Sequence, residues 1–338
     1  MSFIPDLYEV QAGNEPSTDW GTAVAPTVKL MGITGFSVQP NEPQFQANDI
    51  RGSQAPGFMS APQSRSGAAS LEGILLYEDA PYMLDAAFGI VDSDQAGYSV
   101  DTDVYARSYE APLATYDTDT SGSPRIFTIA GAEKSATTDA YSVSGATLTN
   151  FTVSGESGAP LQYTMNFIGK QAQQDELASL SDRVVNMVMG DHVALYIDPA
   201  TDAVGTTEIE NSFFTFNLNV NTNRELRFHM GALTPSGYRD AKWSGELRLT
   251  LELDAATKAI YNAILNASST FERVIRIKAS SGTQYIQFDF NGVCMGTPEA
   301  WTDRDGVATV ELVMSGQYNA TLGNWLKAQS QCSVSALA

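Results

Sequence analysis

Glu246-Leu-Arg-Leu-Thr-Leu-Glu-Leu253 alternates strictly: Leu247, Leu249, Leu251 and Leu253 point one way, Glu246, Arg248, Thr250 and Glu252 the other. A period of two over eight residues is a half-buried strand with one wet face. Phe214, Phe216, Leu218 and Val220 repeat the pattern, as do Ile286, Phe288 and Phe290, and Tyr163, Met165 and Phe167. Enrichment in Val, Ile, Thr and Phe supports strands at each place.

The strands come in two matching sets. Tyr141-Ser-Val-Ser-Gly145 is followed by a strand pattern over 161–167 that closes on Gly169. Phe288-Asp-Phe-Asn-Gly292 is followed by one over 308–314 that closes on Gly316. Both glycine pairs are offset by 147 residues (292 − 145 and 316 − 169). Each half also carries one helix directly after a strand. Asp79 and Asp254 are N-cap residues, and Pro81 fits the first turn of the first helix. Met83, Leu84, Ala87 and Phe88 form a helical stripe ending near Gly89, and Ile260, Tyr261 and Ile264 do so between Ala255 and Asn266. The expectation is a mainly β chain of two tandem homologous domains, sandwich or barrel-forming sheets with one flanking helix each. The boundaries read as an N-terminal arm over 1–30, a first domain over 31–172, a linker over 173–182 and a second domain over 183–338. At 338 residues, each half has room for its own core.

Irregular segments are expected at 1–27, 51–70, 170–182 and, above all, 90–124. The last is rich in Asp (Asp92, Asp94, Asp101, Asp103, Asp117, Asp119) and Tyr (Tyr98, Tyr105, Tyr109, Tyr116) and has no counterpart in the second half. Long loops in compact domains tend to be functional or disordered, and Tyr interleaved with polar residues is typical of a contact loop.

Composition excludes several classes. The net charge of −20 argues against a protein that wraps nucleic acid, which needs clustered Lys and Arg. It fits either an ordinary solvated acidic surface or one that must lie beside DNA without adhering to it. Cys294 and Cys332 are the only cysteines and form no C-x-x-C, so two free thiols are expected. Met1-Ser-Phe-Ile-Pro-Asp6 has neither a basic n-region nor an apolar core, and no secretory leader is expected. The run 184–197 is broken by Asn186, Gly190, Asp191 and His192 and is too polar for a membrane span. No phosphate-binding glycine loop or nucleophile elbow occurs, and Gly155-Glu-Ser157-Gly158 reads as a turn between two strands. His192 and His229 share no ligand spacing, and no pair of carboxylates stands out as acid and base. Asp92-Ser-Asp94-Gln-Ala96-Gly97 begins like a calcium loop, but Ala96 supplies no oxygen and no second helix follows. No catalytic residue, cofactor or metal is expected.

Trp20-Gly-Thr-Ala-Val-Ala-Pro26, the glycine-framed strand pairs, and Tyr196-Ile-Asp-Pro199 with Gly205-Thr-Thr207 resemble tail tube proteins of long-tailed, siphovirus-type bacteriophages. The similarity is to the duplicated form, in which one chain carries two tube domains and three chains make a ring. It runs from about Gly21 to the end through diffuse glycine and alternation patterns. The resemblance implies a structural virion protein, assembled in the host cytoplasm. Its homotrimeric pseudo-sixfold rings stack into a hollow tube that conducts double-stranded DNA. Partners would be further copies, the tape measure, the terminator and the baseplate, with no membrane. Glu72, Glu246, Glu252, Asp289 and Glu311 are the candidates for an acidic bore. Asp92, Tyr98, Asp101, Tyr105, Tyr109 and Tyr116 are the candidates for contacts between rings. Excising residues 92–119 is then expected to leave a folded chain that no longer makes long tubes. A tail terminator or distal tail ring, and an acidic β-sandwich binding module, stand as alternatives, and a carboxylate-pair glycosidase would need a deep cleft.

Overall fold

The computed structural model describes residues 8–16, 19–46, 60–88, 105–112, 124–133, 137–266, 271–296, 298, 300–304 and 306–334. In chain order the first half holds β1 (Tyr8–Asn14), β2 (Val28–Leu30), β3 (Ile33–Asn41), β4 (Gln44–Gln46), β5 (Ser60–Pro62), β6 (Ser66–Ile74), α1 (Ala80–Phe88), β7 (Tyr105–Glu110), β8 (Phe127–Glu133), β9 (Ala140–Glu156), β10 (Gln162–Gly169) and β11 (Gln171–Asp175). The second holds β12 (Val193–Pro199), β13 (Phe213–Asn221), β14 (Glu225–Arg227), β15 (Gly237–Arg239), β16 (Ser244–Glu252), α2 (Ala255–Leu265), β17 (Glu272–Ser281), β18 (Gln284–Cys294), β19 (Ala300–Arg304), β20 (Val307–Gly316) and β21 (Leu326–Cys332). The chain is mainly β, a sandwich-type fold of large antiparallel sheets with two helices among the described residues.

The same chain of pairings occurs twice. In the first half β3 pairs β6, β6 pairs β10, β10 pairs β9 and β9 pairs β8. In the second half β13 pairs β16, β16 pairs β20, β20 pairs β18 and β18 pairs β17. A helix follows the second strand of each set. Registers agree in detail. Phe36 faces Leu71, which faces Met165; Phe216 faces Leu249, which faces Leu312. These matches set offsets of 180 (216 − 36), 178 (249 − 71) and 147 (312 − 165). β3 and β13 each carry an irregularity at the same place, between Ile33 and Gly35 and between Phe213 and Thr215. That bulge takes Phe214 out of the expected alternation.

The sets are fused edge to edge. The C-terminal part of β9 pairs along β13, from Thr215 opposite Glu156 to Asn221 opposite Asn150, so one sheet runs β3-β6-β10-β9-β13-β16-β20-β19. The N-terminal part of β9 turns into another group of strands, with β8, β1, β2 and β11. β12, β17, β18, β21 and β7 form the corresponding group in the second half. One continuous buried cluster includes residues of both halves, Phe151, Val153, Leu218 and Leu247 among them, where separate cores were expected.

Several segments read as irregular are strands. β1 lies within the expected arm, with Val10 and Ala12 buried, and Gln11 buried because its side chain bonds Ala178. β6 occupies the end of the 51–70 stretch, and β11 the start of the linker. Within 90–124, β7 pairs with β21, and Tyr109 is wholly buried against Phe88 at 6.3 Å. Tyr109 is therefore core and not a contact residue, and excision of 92–119 would remove a strand.

The helices differ. α2 starts as expected: Asp254 accepts from the Thr257 N–H (2.8 Å) and Thr257 Oγ1 accepts from the Asp254 N–H (2.9 Å), a reciprocal cap. α1 is buried on all sides, so its Asp79 carboxylate goes elsewhere, to the Met31 N–H (2.7 Å) and Arg183. The C-terminus of α1 is held from the second half. Arg224, wholly buried, donates to the carbonyls of Ala86 (3.2 Å), Ala87 (2.8 Å) and Leu148 (3.3 Å), pairs with Asp240 (2.7 Å) and stacks over Trp243. A cation at a helix C-terminus answers its orphan carbonyls and dipole.

Candidate functional site: a polar face of the continuous sheet

Strand alternation gives the long sheet two unlike faces. The inner one is apolar: Tyr163, Val153, Leu218, Leu247 and Met314 lie in one cross-strand row, all buried. One residue along, the row is Glu72, Thr164, Thr152, Asn219, Glu246 and Ser315. The next polar row is Ser37, Ser70, Asn166, Asn150, Asn221 and Ser244. Short hydroxyl and amide side chains dominate, and they bond one another across strands. Asn150 donates to Asn219 Oδ1 (2.8 Å) and Asn166 donates to Asn150 Oδ1 (3.4 Å), crossing the junction between halves.

Charge on this face is sparse. Its carboxylates are Glu72, Glu156, Glu246, Glu252 and Glu311. Arg248 is held between Glu246 (2.6 Å) and Glu311 (3.6 Å), and Arg304 pairs with Glu156. Five carboxylates against two guanidinium groups leave a net −3, with no lysine at these positions, so most of the chain's −20 lies elsewhere. Alternation had placed Arg248 on the wet face of its strand, but it did not single out Arg304.

The sequence candidates therefore separate. Glu72, Glu246, Glu252 and Glu311 share this face. Asp289 does not: it is buried on β18 and bound in two-point fashion by Arg276 (2.7 and 2.8 Å), with Gln287 beside it. Of the ring-contact candidates, Tyr105 is half-buried on β7 and Tyr109 is core. Asp92, Tyr98, Asp101 and Tyr116, and the calcium-like string, lie outside the described residues.

The framing glycines sit where backbones or rings crowd. Gly145 has φ +66°, and a Cβ there would lie 2.9 Å from the Trp20 ring. Its N–H donates to the buried Glu15 carboxylate (2.7 Å), which also accepts from the Gly21 N–H (2.8 Å) and Thr128 Oγ1 (2.6 Å). The Trp20–Gly21 motif is thus pinned onto β9. Gly292 faces Gly316 directly, while Gly169 lies against Val143 and Ser144. In the other quoted motif, Asp198 is buried and accepts from the N–H groups of Gly205, Thr206 and Thr207 (2.7, 3.0 and 2.8 Å), fixing the loop after β12.

Nothing on this face is arranged as a catalyst. Ser157 lies in the β9–β10 turn, as its spacing predicted. His192 bonds Tyr77 (3.2 Å) and His229 bonds Ser236 (2.7 Å). Among the described residues no cluster of three or more metal-ligating side chains occurs, and no helix is long and apolar enough to cross a membrane. A broad, sparsely charged polar sheet face laid over two repeated strand sets is the equipment of an assembly protein. A protein-family model described as "Phage tail tube protein" matches residues 12–321, and the chain belongs to that family. It is accordingly a structural, non-enzymatic component of the virion tail that assembles with itself and with other tail components. No curated protein matches the chain.

Proposed function

We propose that this chain is the duplicated form of the tube subunit. Three copies make a pseudo-sixfold ring, rings stack into the tail tube, and the polar face lines the bore through which double-stranded DNA passes. The observation that carries this reading is the uninterrupted polar face, which crosses the junction between the two strand sets without a lysine. Duplex DNA carries one negative charge per roughly 1.7 Å of axis, so a lysine-lined bore would hold it. Hydroxyl and amide groups exchange hydrogen bonds with water easily. The sparse carboxylates add repulsion that dies away over about 8 Å at physiological salt. The bore is then a hydrated, weakly negative wall and not a densely acidic one.

The repeated pairing order supports the division into tandem domains, and the β9–β13 junction supports their arrangement side by side. Head-to-tail contacts that close make a ring, and contacts along one open axis make a tube. Asp92, Tyr98, Asp101, Tyr105 and Tyr116 remain the proposed contacts between rings. The tape measure, terminator and baseplate are the proposed heterologous partners, and assembly is proposed to occur in the host cytoplasm. Negative-stain microscopy of the purified chain and of the intact particle tests this. Stacked annuli with threefold symmetry are expected. Single rings that never stack would favour a terminator or distal tail ring, and a stable monomer absent from the particle's tail tube would overturn the reading.

A further inference from the structure

Arg248 stands apart on a face of hydroxyl, amide and carboxylate groups. It lies on β16, and its Nε donates to Glu246 Oε1 (2.6 Å), two residues back on the same face. Its Nη1 lies 3.6 Å from Glu311 on β20. All three side chains are about half exposed. An exposed ion pair contributes little to stability, so holding the sheet together is not what this triad is for. A free guanidinium in that position would be a forked donor matched to phosphate. One guanidinium between two carboxylates instead presents a local charge of −1.

The internal repeat supplies a comparison. By the offset of 178 on β6 and β16, Arg248 corresponds to Ser70 and Glu246 to Ala68. By the offset of 147 on β10 and β20, Glu311 corresponds to Thr164. The registers agree: Arg248 faces Val313, and Ser70 faces Asn166 (313 − 147). Where the cation is absent, both acids that hold it are absent too. The first set keeps one carboxylate nearby, Glu72, at the place of Thr250. Arg304, the face's other cation, is likewise covered: it pairs with Glu156 and lies 5.5 Å from the centroid of the Phe214 ring.

We propose that Glu246 and Glu311 are masking residues for Arg248: they engage its donors and surround its charge, so that phosphates passing along the bore meet no free guanidinium. The proposal rests on the reading that the polar face lines the bore. It assigns that wall's indifference to DNA to one triad per chain and not to net charge alone. A free Arg248 would recur in every copy of every ring. Contacts made at each would add up along a duplex, because binding rises steeply with the number of phosphates neutralised. With the triad intact, an approaching phosphate meets the surplus carboxylate, whose repulsion acts within about 8 Å.

Two variants of equal charge test this. E246Q with E311Q frees Arg248 and moves the face from −3 to −1 (two losses of −1). Glu72→Gln with Glu252→Gln reaches the same −1 with the triad intact. Tubes of each full-length chain are assembled with short duplex DNA, pelleted at 50 and 200 mM salt, and treated with nuclease. At the lower salt, E246Q/E311Q tubes should retain about tenfold more nuclease-protected DNA than E72Q/E252Q tubes, and they should lose most of it at the higher salt. Adding Arg248→Gln should abolish the gain. Should E246Q/E311Q make no tubes, E246Q alone is read against E252Q alone, both at −2, with the same order expected. Equal retention by the matched variants, or retention that survives Arg248→Gln, overturns the mask and leaves the bore reading intact. DNA retained by E246Q/E311Q tubes but open to nuclease places the triad outside the bore and overturns both.

Discussion

Replacing Arg224 with alanine tests the claim that the two strand sets form one cooperative unit. Arg224 belongs to the second set, but three of its hydrogen bonds reach the first, at Ala86, Ala87 and Leu148. Its fourth neutralises Asp240, itself about 5% exposed at the side chain. Truncation leaves the Asp240 carboxylate buried without its cation and strips the last turn of α1 of its donor. Removing one partner of a buried ion pair costs about 3–5 kcal/mol. The three carbonyls are hydrogen-bonded to a charged donor, and each such bond contributes roughly 1.5–3 kcal/mol, though water entering the cavity recovers part. The orphaned ion-pair partner alone sets a loss of at least about 3–5 kcal/mol. Arg224→Lys keeps the charge but loses the planar fork, and should fall roughly halfway. In R224A with Asp240→Asn, the orphaned charge is gone, so the double variant should be more stable than R224A alone. Equilibrium urea unfolding followed by tryptophan fluorescence and far-UV dichroism reads these values. The parent should unfold in a single transition with both probes coincident. A loss below about 1 kcal/mol for R224A, or two separated transitions in the parent, would refute the reasoning.

Three further outcomes are expected. Glu15→Ala removes the acceptor for two backbone N–H groups and one hydroxyl in a buried site, and should lower stability by about 3–6 kcal/mol in the same urea assay. Burial pushes the Asp85 carboxyl up to about 7, against the opposing pull of Arg125 (3.0 Å). Because the folded value lies above the unfolded one, the contribution of Asp85 is complete below about pH 4 and lost as pH rises through 7. The parent's melting temperature should therefore fall across that window more steeply than that of Asp85→Asn. Changing Glu72, Glu246 and Glu311 to lysine moves the polar face from −3 to +3 per chain (three swings of +2). Assembled tubes of this variant should retain short duplex DNA in a strongly salt-dependent way, whereas parent tubes should not, as read by co-sedimentation at 50 and 200 mM salt.

What the sequence revealed and concealed follows from how each strand is covered. β16 was legible because one face meets the core and the other meets water, which writes Leu247, Leu249 and Leu251 in clean alternation. α2 was legible because its cap is local, Asp254 with Thr257. β18 misled because both of its faces are buried: Gln287, Asp289 and Asn291 are polar yet inside, where Arg276 of β17 holds Asp289, Asp289 accepts from Gln287, and Glu272 of β17 accepts from Asn291. A charge whose partner is 13 residues away looks like a wet-face residue when read alone. β1, β7 and β11 were missed because Gln11, Arg107 and the Gln-rich 171–175 stretch bury or pair polar atoms through long-range bonds and sheet pairing. Asp79 had a cap's sequence context but not its role, because Met31 and Arg183 compete for its oxygens. The polar face itself was half visible. Its acids stood out by charge, while the Asn, Ser and Thr rows that make up most of it carry no signal until cross-strand register aligns them.

A helical reconstruction of the assembled tube by electron cryomicroscopy tests the central claim most directly. The row Glu72, Thr164, Thr152, Asn219, Glu246 and Ser315 should face the bore. A tube whose bore is lined by the opposite face, or by lysine and arginine side chains, would contradict the account.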